Sequence, residues 1–400
     1  TETFIEYINI FGLDKALNNS KGMFAFALWD THKNKMYLVR DRFGEKPLYW
    51  TNMQLSLAKI FAFASEISAF NIIPDFLGKI DKKALSTYFK YGFITQENTI
   101  YEQIKQVNPG NYLVFEYDTQ NFSFNLKKEV NWWNCQEKLR LSSSENNLKN
   151  KFFNKSKNKN YYENKLEDLL KESIRNQIKA DAPVGVFLSG GIDSSLITAL
   201  SSVISSEKIN TFTVSFPDMG NGESFYDESK YARDISNYLG TNHTEVEITY
   251  KEALSCIDSL AKIYSEPFAD SSQLPTYLVC SKARKSGLKV VLSGDGGDEL
   301  FGGYNRHIMI PQLSNIFSKF PNRSRNIIAN LINTNFFLKK RYSQIKLQKL
   351  SKAIKTSCTL NDLYDSILTI FPSNESILNK KWIIEEYESI RINLPNSSTN

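Results

Sequence analysis

Apolar positions along this chain fall into two kinds of pattern. Before residue 140 they form short, aromatic-rich, β-prone runs: Met23–Trp29, Met36–Val39, Pro47–Trp50, Ile60–Ala64 and Tyr112–Tyr117. Turn signals such as Phe43-Gly44 and Pro109-Gly110-Asn111 separate them, which predicts a mostly antiparallel sheet structure. From Tyr161 the period changes. Leu166, Leu169, Leu170, Ile174 and Ile178 recur at three and four, the spacing of an amphipathic helix. Strand signals then alternate with helix signals. A strand at Val184–Leu188 is followed by a helix beginning at Leu196, a strand at Thr211–Phe216, and a helix over Ser229–Leu239 stopped by Gly240. A strand at Glu245–Ile248, helices near Ala253–Tyr264 and Leu274–Ser286, and a strand at Leu288–Leu292 complete the series. Such alternation with apolar strands predicts a parallel, doubly wound sheet, whose ligands bind at the carboxyl ends of the strands. Residues 310–400 read as helical and basic.

The sharpest motif sits at one of those strand ends. Ser189-Gly190-Gly191-Ile192-Asp193-Ser194-Ser195 joins the Val184 strand to the next helix. Paired glycines and hydroxyls in a strand-to-helix turn leave backbone N–H groups free, and the helix dipole favours an anion there. The loop is not a Walker loop, because no Lys follows the glycines. It carries Asp193 instead, an acid suited to holding Mg²⁺ against phosphates.

A second cluster follows the last strand. Ser293-Gly294-Asp295-Gly296-Gly297-Asp298-Glu299-Leu300-Phe301-Gly302-Gly303-Tyr304 holds five glycines and three acids in twelve residues, so backbone can approach a ligand closely while carboxylates gather beside it. An EF-hand calcium loop is the competing reading, disfavoured by the buried strand in front and the missing Glu at the last loop position. In the functional reading Asp298 joins Asp193 on Mg²⁺, while Asp295 and Glu299 face the reacting acceptor. The two loops together describe Mg-nucleotide chemistry with release of pyrophosphate.

Composition narrows the alternatives. Four hundred residues at 41% hydrophobic content support two or three packed domains. No apolar run reaches membrane-spanning length and no basic-then-apolar segment opens the chain, so a cytoplasmic protein is expected. Cys135, Cys256, Cys280 and Cys358 are scattered and His32, His243 and His307 isolated, which argues against disulfide, zinc and triad chemistry. The net charge of +6 is mild, and its lysines around Lys149–Lys159 lie among Asn and Ser with few aromatics. That reads as a solvated linker over 141–162 and gives no nucleic-acid surface.

With these motifs on the page, the chain resembles the glutamine-dependent asparagine synthetases, class II amidotransferases that carry an ATP-pyrophosphatase domain. The resemblance rests on Gly22–Asp30, Arg40-Asp41-Arg42-Phe43-Gly44-Glu45-Lys46-Pro47-Leu48-Tyr49 and Phe63-Ala64-Ser65-Glu66-Ile67 in the first part. In the second it rests on both glycine loops and on Glu266-Pro267-Phe268-Ala269-Asp270-Ser271-Ser272-Gln273-Leu274-Pro275-Thr276. It extends to about Arg306. It implies an α/β plus α+β chain: a partial antiparallel β-sandwich glutaminase domain over 1–140, the linker over 141–162, and a doubly wound ATP-pyrophosphatase domain over 163–400. It also implies an activity, amidation of aspartate to asparagine through a β-aspartyl-AMP intermediate, with ammonia from glutamine, ATP and Mg²⁺ as cofactors, and a homodimer as one assembly it allows. The same chemistry on another carboxylate, such as a uronic acid sugar, and a nucleotide-binding paralogue without turnover stand as alternatives.

By the same resemblance, Leu188 and Val214 would line the adenine site, and Ser293 with Gly294 would contact the nucleotide. Ser189, Gly190, Gly191, Asp193, Ser194 and Ser195 would hold the pyrophosphate end, Asp295 and Glu299 would be catalytic, and Asp193 and Asp298 would bind the metal. As strand residues, Leu188 and Val214 are equally expected in the core, and Gly22, Arg40, Asp41 and Gly44 are expected to be structural. The family's amino-terminal nucleophilic Cys, its Asn-Gly-Glu segment and its downstream Lys-x-Asp-Arg helix have no counterpart between Thr1 and Asn400. The expectation is therefore an internal fragment of a longer gene product, a natural truncation being the alternative, with a synthetase site short of a cationic group.

Overall fold

The computed structural model describes residues 1–55, 59–96, 98–145, 159–217, 227–317, 319–334, 344–356 and 359–370. Most of the predicted linker, 146–158, lies outside these residues, as does Cys358. The chain divides into two compact units. One comprises residues 1–146, 261–269 and 317–400, the other 147–260 and 270–316.

The first unit holds two antiparallel sheets. Strands β1 (Ala25–Asp30), β2 (Lys35–Arg40), β6 (Asn111–Asp118) and β7 (Ser123–Asn131) form one, in the order β1-β2-β6-β7. Strands β3 (Tyr49–Gln54), β4 (Lys59–Ala64) and the two-residue β5 (Lys105–Gln106) form the other, in the order β4-β3-β5. Their shared core is Leu38, Leu48, Trp50, Val107, Leu113 and Phe115, with Phe61 and Phe124 packed against it. Strand period two sends the neighbours of those residues the other way, where Val39, Tyr112 and Val114 pack with Leu17 and Phe4. Those last two residues belong to helices Glu2–Phe11 and Leu13–Asn19, which the sequence reading did not anticipate. Their cover explains why Tyr112–Phe115 is an unbroken apolar run rather than an alternating one.

Helices Asn322–Thr334, Gln344–Thr356 and Leu360–Leu368 also lie in this unit, in line with the helical reading of the 310–400 region. Helix Leu360–Leu368 is tied to helix Lys82–Tyr91 by a buried ion pair, Lys90 Nζ to Asp365 at 3.3 Å, and by the Tyr91 hydroxyl donating to the same carboxylate.

The second unit is built on one parallel sheet of β8 (Val184–Phe187), β9 (Asn210–Ser215), β10 (Asn242–Glu247) and β11 (Val290–Leu292), in the order β10-β9-β8-β11. One set of side chains packs Val186, Leu200, Ile209 and Leu292 with Ile174. The alternate set packs Phe212, Val246, Ile248 and Leu288 with Val279 and Ala283. Apolar side chains thus leave both faces of the sheet, as the near-continuous apolar strands required. Helix Ser229–Leu239 ends as read, with Gly240 left-handed at φ 68°. The segment read as one helix near Ala253–Tyr264 is two, Tyr250–Ile257 and Leu260–Ile263, the first opened by a Thr249–Glu252 capping box. No helix among the described residues is long and apolar enough to cross a membrane.

Candidate functional site

The strand order decides where the two glycine loops meet. Chain continues outward from β8 to β9 and β10, then returns to place β11 on the other side of β8. Val290 pairs with Val184 and Leu292 with Val186, so the two strands end side by side and release their loops together. This is the topological switch point at which parallel sheets bind ligands.

The first loop turns on Gly190 at φ 85°. A β-carbon there would stand 2.7 Å from Tyr231 Cβ and 2.9 Å from the Ala232 nitrogen, so helix Ser229–Leu239 passes too close for any other residue. Helix Ile192–Ile204 follows with Gly191 as N-cap. The hydroxyls brace the loop from within. Ser194 Oγ accepts from the Ser189 N–H at 3.1 Å and meets Ser189 Oγ at 3.0 Å, while Ser195 Oγ donates to the Gly191 carbonyl at 2.6 Å. Asp193 sits in the first turn, its acid next to the positive end of the dipole.

The second loop comes against the first through glycines. A β-carbon on Gly294 would lie 2.8 Å from the Ser194 nitrogen, and one on Gly297 would lie 2.5 Å from Cγ of Asp193. The Asp193 carboxylate therefore rests on bare backbone one residue before Asp298. The Asp298 carboxylate is in turn folded against Gly303, which donates its N–H to the Asp298 carbonyl at 3.0 Å. Asp295 accepts from Ser293 Oγ at 3.0 Å and is exposed. Glu299 accepts from the Tyr304 hydroxyl at 2.6 Å; that bond, with Arg306 and His307 nearby, holds its carboxyl below the usual range.

Of the residues expected here, Asp193 and Ser194 of the first loop meet Gly294 and Gly297 of the second. Leu188 is fully buried, its N–H donating to the Phe212 carbonyl at 2.8 Å. Val214 is half-buried against the Phe212–Val246 core. Both side chains serve the core. Among the described residues no group of three or more His, Cys, Asp and Glu is placed to hold a metal ion by itself. Asp193 and Asp298 are hard oxygen donors beside glycine backbone, a set that suits Mg²⁺ completed by phosphate and water oxygens. The site was expected to be short of a cationic group, yet one cation lies close to Glu299. Arg306 stacks on Tyr304 with its guanidinium carbon 3.8 Å from the ring centroid.

In the first unit, Arg40 and Asp41 prove structural. Arg40 donates to the carbonyls of Gly44, Lys46 and Val107, and burial pushes its guanidinium below its usual pKa. Asp41 accepts from four backbone N–H groups, of Phe24, Phe43, Glu45 and Lys46, at 3.0–3.2 Å.

Comparison with known proteins bears on both units. Residues 165–367 match the family described as Asparagine synthase, and residues 1–128 match a Glutamine amidotransferase domain. The chain belongs to the asparagine synthase family. A Methanocaldococcus jannaschii protein named Putative asparagine synthetase [glutamine-hydrolyzing] 2 is 30% identical over 96% of this chain and 68% of its own length. Asparagine synthetase [glutamine-hydrolyzing] 1 of Bacillus subtilis is 30% identical over 73% of this chain but 41% of its own. Amidase chry2 of Gibberella zeae is 26% identical over 72% of this chain and 41% of its own. The chain thus spans about two-thirds of the first relative and about two-fifths of the other two. Family membership carries the class read from the sequence, a glutamine-hydrolysing ligase that binds ATP and acts on small molecules.

Proposed function

We propose that the protein uses ATP to adenylate the side-chain carboxylate of aspartate and that ammonia then displaces AMP to give asparagine. The observation that carries this reading is the contact of Asp193 and Ser194 with Gly294 and Gly297, which joins an anion-binding turn to a loop of three acids. In the first step a carboxylate oxygen attacks the α-phosphorus and the bond to the bridging oxygen breaks, so that pyrophosphate leaves. In the second, nitrogen attacks the acyl carbon, the bond to AMP breaks, and the nitrogen gives up a proton.

Each residue has a task in this scheme. The N–H groups of Ser189–Ser195 and the dipole of helix Ile192–Ile204 hold the departing pyrophosphate. Bound Mg²⁺, held by Asp193 and Asp298, would supply charge compensation on the phosphates. Ser293 and Gly294 bear on the nucleotide, with the backbone at Leu188 and Val214 beside adenine. Asp295 and Glu299 face the acceptor, where a carboxylate can take the proton that nitrogen loses. The partial glutaminase sandwich over 1–140, the linker over 141–162 and the synthetase domain over 163–400 belong to the same reading, as do a cytoplasmic location and glutamine as nitrogen source.

The test is AMP release with a panel of carboxylates. Uronic acids belong in the panel as the alternative acceptors. Release that depends on aspartate above all others is expected; release indifferent to any carboxylate would contradict the proposal.

A further inference from the structure

Arg306 is a cation at the candidate site with no ion pair or hydrogen bond among the described residues. Its guanidinium carbon lies 3.8 Å from the centroid of the Tyr304 ring, with its Nε sequestered from solvent and unmatched. The ring beneath is fixed on both sides. Its hydroxyl donates to Glu299 at 2.6 Å and its face meets His307 edge-on at 5.5 Å between centroids. The peptide N–H of His307 also donates to the Tyr304 carbonyl at 2.9 Å, which holds the turn closed. The ring contact thus holds the guanidinium at this turn, while its terminal N–H groups have no hydrogen-bond partner among the described residues.

Arg306 is near enough to Glu299 to help hold its carboxyl below the usual range, yet it forms no ion pair with Asp295, Asp298 or Glu299 among the described residues. Glu299 takes its hydrogen bond from Tyr304 instead. The uncommitted edge therefore suits an anion brought by a substrate. The phosphates already have the Ser189–Ser195 turn, whereas an acceptor entering among three acids brings further negative charge that nothing else described there offsets.

We propose that Arg306 binds the second, non-reacting carboxylate of the acceptor. This rests on the adenylation reading given above and adds that the acceptor is a dicarboxylate, positioned by the Glu299–Tyr304–Arg306 stack. A guanidinium matches a carboxylate through two parallel N–H bonds, so the contact fixes direction as well as charge.

The experiment compares wild-type protein with R306K and R306Q in carboxylate-dependent exchange of pyrophosphate into ATP, using aspartate and 3-aminopropionate, which lacks the second carboxylate. Loss of a charged hydrogen-bonded contact predicts that R306Q raises KM for aspartate by about tenfold or more. KM for ATP and the weak turnover of 3-aminopropionate stay unchanged, and R306K recovers part of the loss. Equal losses with both acceptors would make Arg306 merely structural, and a rise confined to KM for ATP or pyrophosphate would move it to the phosphates; either result overturns the proposal. Calorimetric titration with aspartate keeps the two readings separable. Wild-type protein without exchange defeats the adenylation scheme, while weaker aspartate binding by R306Q still supports the arginine assignment and equal or absent binding refutes it.

Discussion

The carboxylate of Asp193 rests on the backbone of Gly297, so close that a β-carbon at Gly297 would stand 2.5 Å from Asp193 Cγ. The contact exists because β8 and β11 are neighbours in the sheet although more than a hundred residues separate them in the chain. It joins two loops that each carry half of the proposed chemistry.

Gly297→Ala tests that junction. The added methyl must displace Asp193 or the loop, and overpacking of this kind costs about 1–3 kcal/mol. Mg-ATP affinity measured by calorimetry should fall, and the urea midpoint should fall with it. Unchanged affinity would separate Asp193 from the nucleotide.

Gly190→Ala should act on the fold as well as the site. The left-handed backbone at φ 85° and the nearby Ala232 nitrogen both reject a side chain. Strain in that region costs on the order of 1–3 kcal/mol, which urea denaturation would register. A variant as stable as the parent would show that helix Ser229–Leu239 yields easily.

Asp41→Ala in the first unit should be more damaging than any change at the exposed Asp295. It strips the acceptor from four backbone N–H groups around a residue only 1% exposed. At about 1.5–3 kcal/mol for each bond to a charged group, the loss should reach at least about 3 kcal/mol. Denaturant unfolding checks this; a loss below about 1 kcal/mol would mean that water replaces the carboxylate.

Glu266 carries a pH signature. Burial raises its carboxyl above the usual range, opposed by the Ile100 N–H that donates to it at 3.1 Å. The folded chain therefore holds a proton that the unfolded chain has released, so stability falls as pH rises from the unfolded value of about 4.5 through the raised one. Glu266→Gln keeps an acceptor for Ile100 and removes the charge. It should stabilise the protein at pH 7, with the gain shrinking to nothing toward pH 4. A gain independent of pH would remove the titration from the account.

Much of this was legible in residue order, for identifiable reasons. Period-two and period-three-to-four patterns located Ser229–Leu239 and the strands around Val184 and Thr211, and the glycine loops announced themselves by composition. Helices Glu2–Phe11 and Leu13–Asn19 escaped because their apolar faces cover a sheet whose exposed-looking residues only become buried on folding. Strand Ser123–Asn131 escaped because charged residues occupy its outer face. Arg306 was missed for a different reason: its role comes from a ring two residues away and a loop turn, and stacking leaves no spacing signature. The meeting of Asp193 with Gly297 depends on strand order, which no local pattern encodes.

The central claim is that the two loops form one adenylating site, and aspartate-dependent exchange of labelled pyrophosphate into ATP measures it directly. The account predicts exchange that requires both aspartate and Mg²⁺ and that Asp193→Asn and Asp298→Asn each sharply reduce. Exchange at wild-type rates in both variants, or no dependence on a carboxylate, would contradict it.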